Sequence, residues 1–200
     1  QRFEEALTLL PLPIRRIHPG IDDTQLFGGL NVAASLSAGH MVRDRGIADT
    51  PAALILPMAE RTNARFAARL AQMLDAETGH VMLLLDEGVE SDENAPASLA
   101  NRLAFHCDLG GLRLAEAPSH ALDGALLVEA RKRYADVTFS SSCITDLVTA
   151  AACFGIDDAR APLFALSCAR ALAALDNAKS VGPDHLQEAA ALIYPCRATR

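Results

Sequence analysis

Apolar positions follow two different rhythms along this chain, and the change falls near Pro118. Before it, short continuous apolar runs at 52–56 and 81–85 read as buried strands, with 14–17 a shorter candidate and 105–109 a further one. Between them, 62–76 is amphipathic, placing Phe66, Leu70, Met73 and Leu74 on one helical face. Residues 1–10 do the same with Phe3, Ala6, Leu7 and Leu10, and Pro11-Leu12-Pro13 ends them. His18-Pro19-Gly20 is turn chemistry, Asp22 or Asp23 is a candidate cap, and 25–30 leads into an Ala/Leu/Ser helix that stops near Gly39. A helical turn is expected at 96–103. Strands alternating with helices at this spacing predict a parallel α/β sheet.

Beyond Pro118 only the helical period remains, at 120–134, 140–154, 159–176 and 183–193. Gly155 reads as a C-terminal cap, Asp157 or Asp158 with Pro162 as the start of the third segment, and Gly182-Pro183-Asp184 as the start of the fourth. The chain thus divides into an α/β core, 1–117, and an all-α part, 118–200. Opening inside a helix, it reads as a piece of a longer protein.

Half the residues are apolar and only 4% aromatic, so the core must be built from Ala, Leu, Val and Ile. No basic stripe interrupts the formal charge of -7, and the densest positive cluster, Arg131-Lys132-Arg133, reads as a solvated helix face. That balance argues against nucleic acid as a partner. The 5 cysteines are an odd, scattered set without a CxxC pair, which fits reduced thiols in a cytoplasm and no zinc site. No run is long and apolar enough for a membrane span, so a soluble cytoplasmic protein is expected.

A phosphate-binding loop needs Gly-x-x-x-x-Gly-Lys-[Ser/Thr]. Lys179-Ser180 is preceded by Ala178, with Ala173 where the first glycine belongs, and Lys132 fits worse, so the motif is absent. The run from Val81 to Asp86-Glu87 imitates a Walker B strand, whose Asp binds Mg²⁺ and whose Glu activates water. The competing reading is a buried strand ending in an acidic loop, since Glu90, Asp92 and Glu93 follow. No histidines have metal-ligand spacing. His106 and Cys107, in a strand, would point to opposite faces, and Ser140-Ser141-Ser142 reads as a helix start rather than a nucleophile.

Two blocks carry a family resemblance. His18-Pro-Gly-Ile-Asp-Asp-Thr-Gln-Leu-Phe-Gly-Gly-Leu30 with Gly46-Ile-Ala48 resembles the AAA+ subunits of magnesium chelatase. Ala169-Arg-Ala-Leu-Ala-Ala-Leu175, Val181-Gly-Pro-Asp-His-Leu186 and Ala189-Ala190 are similar to the last lid helices of those subunits. The fold implied is an AAA+ P-loop-type parallel sheet core, here without its P-loop, followed by a helical lid. In that register 54–60 occupies the Walker B position, where Pro57-Met58 replace an Asp-Glu pair, and Asp86-Glu87 fall near the sensor-1 strand. The degenerate site resembles the D-type subunits rather than the motor subunits.

That resemblance implies a non-motor platform in Mg²⁺ insertion into protoporphyrin IX for (bacterio)chlorophyll synthesis. No cofactor or metal would be bound by this chain, while the assembled complex would use ATP and Mg²⁺. Its implied partners are the ATPase (I) subunit, further copies in a hexameric ring, and a porphyrin-binding subunit. Arg102, in Leu99-Ala-Asn-Arg-Leu103, falls at the arginine-finger position, acting in trans on a neighbour's nucleotide, and Arg160, in Asp157-Asp-Ala-Arg-Ala-Pro162, at the sensor-2 position. The alternative is an active AAA+ ATPase of the same clade whose P-loop lies outside the sequence, with Asp86-Glu87 as its Walker B pair.

Overall fold

A computed structural model describes residues 6–90, 92–111 and 123–199, which form two compact units, 1–102 and 103–200. The division expected after residue 117 lies outside the described residues, as does the first half of the helix expected at 1–10.

The first unit is built on three parallel strands, β1 (Ile14–Arg16), β4 (Ala53–Leu56) and β5 (Val81–Leu84), in the order β1-β4-β5. Ile14 lies opposite Ala53, and Ala53 opposite Val81. Strand β4 is central and all four of its residues are buried, which is why its sequence is continuously apolar rather than alternating. The amphipathic stretch forms α3 (Ala64–Asp75). Asn63 caps it by accepting from the Phe66 N–H, and Phe66, Ala67, Leu70, Ala71 and Met73 are buried. The short α4 (Ala97–Ala100) packs against α3 through fully buried Leu99.

Between β1 and β4 the chain makes an excursion that contains the helix expected to stop near Gly39, flanked by two short strands that were not expected. Helix α1 (Asp23–Phe27) leads to β2 (Gly29–Leu30), α2 (Val32–Ala38) and β3 (Arg43–Asp44), with β2 and β3 antiparallel. Its root is two crossing backbones. A Cβ on Gly46 would stand 2.2 Å from the Gly28 nitrogen and 2.3 Å from the Leu26 carbonyl oxygen, and Gly28 itself adopts φ 73°. Only glycine satisfies both requirements. The Leu-Phe-Gly-Gly and Gly-Ile-Ala blocks are therefore the clasp of this arm, closed by Ile47 and Ala48 N–H groups donating to Gln25 and Leu26 carbonyls.

The second unit holds α5 (Gly124–Tyr134), α6 (Ser141–Cys153), α7 (Arg160–Leu175) and α8 (Pro183–Ile193), matching the four expected segments. Helix α7 is central and touches each of the others. Ala161, Ala165, Ala169 and Ala173, four residues apart, are all fully buried, and such a stripe of small side chains lets neighbouring helices approach closely. Gly182 and Pro183 start α8 as expected, and Gly155 follows α6 at φ 66°. Tyr194 closes the core: its hydroxyl donates to the Leu147 carbonyl at 2.9 Å, and burial pushes its pKa up to about 12.

The strand expected at 105–109 does not form. Phe105 and Leu109 are exposed, so the apolar face that their alternation with His106 and Asp108 would give a strand is not buried. The carbonyls just before it are taken by a side chain instead of a ladder: the Arg197 guanidinium donates to Leu103 and Ala104, and also to His106 Nε2 at 3.2 Å. His106 and Cys107 therefore do not lie on opposite faces of a strand.

Candidate functional site

Because β1, β4 and β5 are parallel, their carboxyl ends meet at one edge, the usual place for ligands in open α/β sheets. At the end of β4, Pro57 fixes one backbone angle and Met58 turns through left-handed conformation, φ 51° and ψ 47°. Neither side chain can hold a cation or activate water. The next residues close the edge. The Ala59 N–H donates to the Leu85 carbonyl at 3.0 Å, and Glu60, with a side chain only 7% exposed, accepts from the Glu87 N–H at 3.1 Å.

Asp86 at the end of β5 is also engaged in its own loop. One carboxylate oxygen accepts from the Gly88 N–H at 3.0 Å and the other from the Ala95 N–H at 2.7 Å. Glu93 repeats the pattern, accepting from the Val89 N–H at 3.1 Å. Of the pair that imitates Walker B, Asp86 serves as a local cap of an acidic loop, and Glu87 is exposed.

Arg102 follows α4, and its guanidinium is locked from two sides. Its Nε donates to Asp75 Oδ1 at 2.8 Å, and a terminal nitrogen to Asp75 Oδ2 at 2.5 Å. The other terminal nitrogen donates to the Ser98 carbonyl at 2.6 Å. Asp75 is the last residue of α3, so the pair fastens α4 to that helix end in the fork geometry that suits guanidinium and carboxylate. Reaching an outside phosphate requires exchanging this carboxylate for it. Nothing in the sequence marks Asp75, 27 residues away, as the partner of Arg102.

Arg160 is exposed at the first turn of α7, and its backbone N–H donates to Asp158 Oδ1 at 3.0 Å. Arg102 and Arg160 belong to different units.

The remaining candidates have local structural partners. His80 accepts from the Ala52 N–H and contacts the Ala48 carbonyl, fixing the entry to β4. His185 accepts from the Gly182 N–H and meets Asp176 at 3.2 Å. In the basic run, Lys132 pairs with Glu129 at 2.7 Å and Arg133 donates to Asn177, at the helix end where cations are favoured. Cys143 and Cys168 are buried, Cys107, Cys153 and Cys196 are exposed, and all five are free thiols. No described helix is long and apolar enough to cross a membrane.

Comparison with known proteins agrees with this layout. Residues 144–200 match the AAA lid domain family. The chain is 47% identical over 197 residues to the magnesium-chelatase 60 kDa subunit of Cereibacter sphaeroides, covering 98% of this chain and 35% of that protein. It is 38% identical to the subunit of the same name from Rhodobacter capsulatus, over 98% of this chain and again 35% of the relative. The chain thus spans about a third of the length of both relatives. A crystal structure of a candidate ATPase from Cytophaga hutchinsonii superposes with a TM-score of 0.69 at 17% identity, covering 98% of this chain and 73% of that one. That likeness shows the fold, an α/β part followed by a helical part, and the AAA lid match over 144–200 makes it of the AAA type.

Proposed function

Since the chain is a homologue of the magnesium-chelatase 60 kDa subunits over 98% of its length and carries an AAA lid, we propose that it is the non-motor AAA+ platform of such an enzyme. In this role it works in the cytoplasm, joins copies of itself and an ATP-hydrolysing partner subunit in a ring, and couples their cycle to Mg²⁺ insertion into protoporphyrin IX. The porphyrin is held by another subunit, and ATP by the partner. The observation that carries the proposal is the end of β4, where Pro57 and Met58 stand in the Walker B place and Glu60 closes the edge.

Within such a ring Arg102 would exchange Asp75 for a neighbour's γ-phosphate and offset the charge that grows there in the transition state. Arg160, with no nucleotide in its own subunit, would keep a structural role at the start of α7. Nucleotide binding by the purified chain tests the platform role: it predicts no ATP affinity in the micromolar range by calorimetry. Micromolar binding by the chain alone would overturn it. The second reading, an active ATPase using Asp86-Glu87, is disfavoured by the two backbone N–H groups that Asp86 already accepts.

A further inference from the structure

Among the described residues two apolar surfaces are exposed, one with Arg43 beside it and the other with Asp157 and Asp158. The first is the arm formed by β2, α2 and β3. Helix α2 buries none of its residues, and Leu30, Val32, Leu36 and Met41 are exposed by 52%, 59%, 80% and 76%. The arm is nevertheless firmly built: the Asn31 N–H donates to Val42 at 2.9 Å, the Val42 N–H to Ser35 Oγ at 2.8 Å, and the Asn31 side chain to both oxygens of Asp44. An ordered arm ending in apolar side chains loses little entropy when it docks. Arg43 and Arg45 are exposed at its base.

The second is a groove of about 460 Å³ in the helical unit, where α6 faces the start of α7. Ile144, Val148, Pro162, Leu163 and Leu166 line it, and Asp157 and Asp158 stand among its walls. Ile144, Val148 and Leu163 are 44%, 50% and 61% exposed. Asp158 accepts the Arg160 backbone N–H with one oxygen, while Oδ2 is shielded from solvent and has no hydrogen-bond partner. A carboxylate oxygen shielded beside apolar walls is costly until a donor reaches it.

We propose that the arm of one copy docks in this groove on a second copy, Leu36 and Val32 filling it and Arg43 reaching Asp157 and Asp158. One contact then covers both apolar surfaces and supplies the donor that Asp158 lacks. Arm and groove are different surfaces on different units, so the contact joins unlike patches of two copies. The inference deepens the self-association in the proposed function. Its test reads association alone, so it can fail while the platform role stands, and the reverse.

The experiment is sedimentation velocity of the chain at increasing concentration, with Leu36→Asp as an arm variant and Leu163→Asp as a groove variant. Both positions are exposed, and thermal melting by circular dichroism confirms that each variant folds. The wild type is expected to associate as concentration rises, and each variant alone to associate at least tenfold more weakly. An equimolar mixture of the two variants should give one-to-one dimers and nothing larger, because one intact arm then meets one intact groove. A wild type that stays monomeric, variants that assemble like the wild type, or a mixture without dimers would each overturn the proposal.

Discussion

Arg102 and Asp75 can be separated by experiment, because a finger and a brace predict different outcomes for the two partners. The structural pair consists of two charge-assisted hydrogen bonds, with the Arg102 side chain 20% exposed and that of Asp75 46% exposed. At that exposure solvent screening leaves a net contribution of about 1 kcal/mol. In a unit of this size, a loss of that order lowers the melting temperature by roughly 4–8 °C. Arg102→Ala and Asp75→Asn should therefore destabilise by similar amounts. Their effects on ATP turnover in the assembly with the motor subunit should differ. A guanidinium acting in trans contributes as much as ~10³-fold at each interface it serves, so Arg102→Ala should slow turnover sharply. Asp75→Asn frees the guanidinium and should leave the rate unchanged or raise it. Arg102→Lys keeps the charge but loses the fork, and should fall between the two. The assay is steady-state phosphate release by the mixed assembly, with assembly checked separately by sedimentation. Equal loss of turnover in Arg102→Ala and Asp75→Asn would show that the pair is only a brace, and no loss in either would remove the finger role.

Gly46→Ala places a methyl 2.2 Å from a backbone nitrogen that cannot move without opening the arm, and should cost about 3 kcal/mol or more in denaturant melts. A melt unchanged from the wild type would contradict the clasp described at the arm's root. Tyr194→Phe removes the hydroxyl from a buried carbonyl and should destabilise the helical unit by about 1–2 kcal/mol, read by thermal melting. Tyr194 also sets an alkaline limit. Its pKa lies at about 12 in the folded chain against about 10 unfolded, so its neutral form stabilises fully below pH 10, and that contribution, about 3 kcal/mol, is lost as pH rises towards 12. Tyr194→Phe should lose this part of the alkaline dependence, and a variant with the wild-type slope would refute the assignment. Asp86→Ala should speed amide exchange at Gly88 and Ala95 while leaving ATP turnover of the assembly unaltered. A large fall in turnover would restore Asp86 as a Walker B residue.

What the sequence determined by itself was whatever a local period encodes. The continuous run of β4, the one-sided face of α3 and the four helices of the second unit depend on side chains a few residues apart, and their caps lie beside them. The Pro57-Met58 pair was equally legible, since neither side chain carries a carboxylate to hold Mg²⁺ or activate water. The tertiary structure decided everything that needs a distant partner. Residues 105–109 have strand-like composition, but their neighbourhood offers the Arg197 guanidinium from 93 residues away and no strand to pair with. Two-residue strands are too short to show a period, so the arm exists only through the crossing of Gly28 and Gly46. Arg102 is a candidate finger in sequence and a fastened side chain in structure, because Asp75 meets it only when α3 and α4 pack. Local order is written in neighbouring residues, whereas the state of a functional group depends on what folding brings against it.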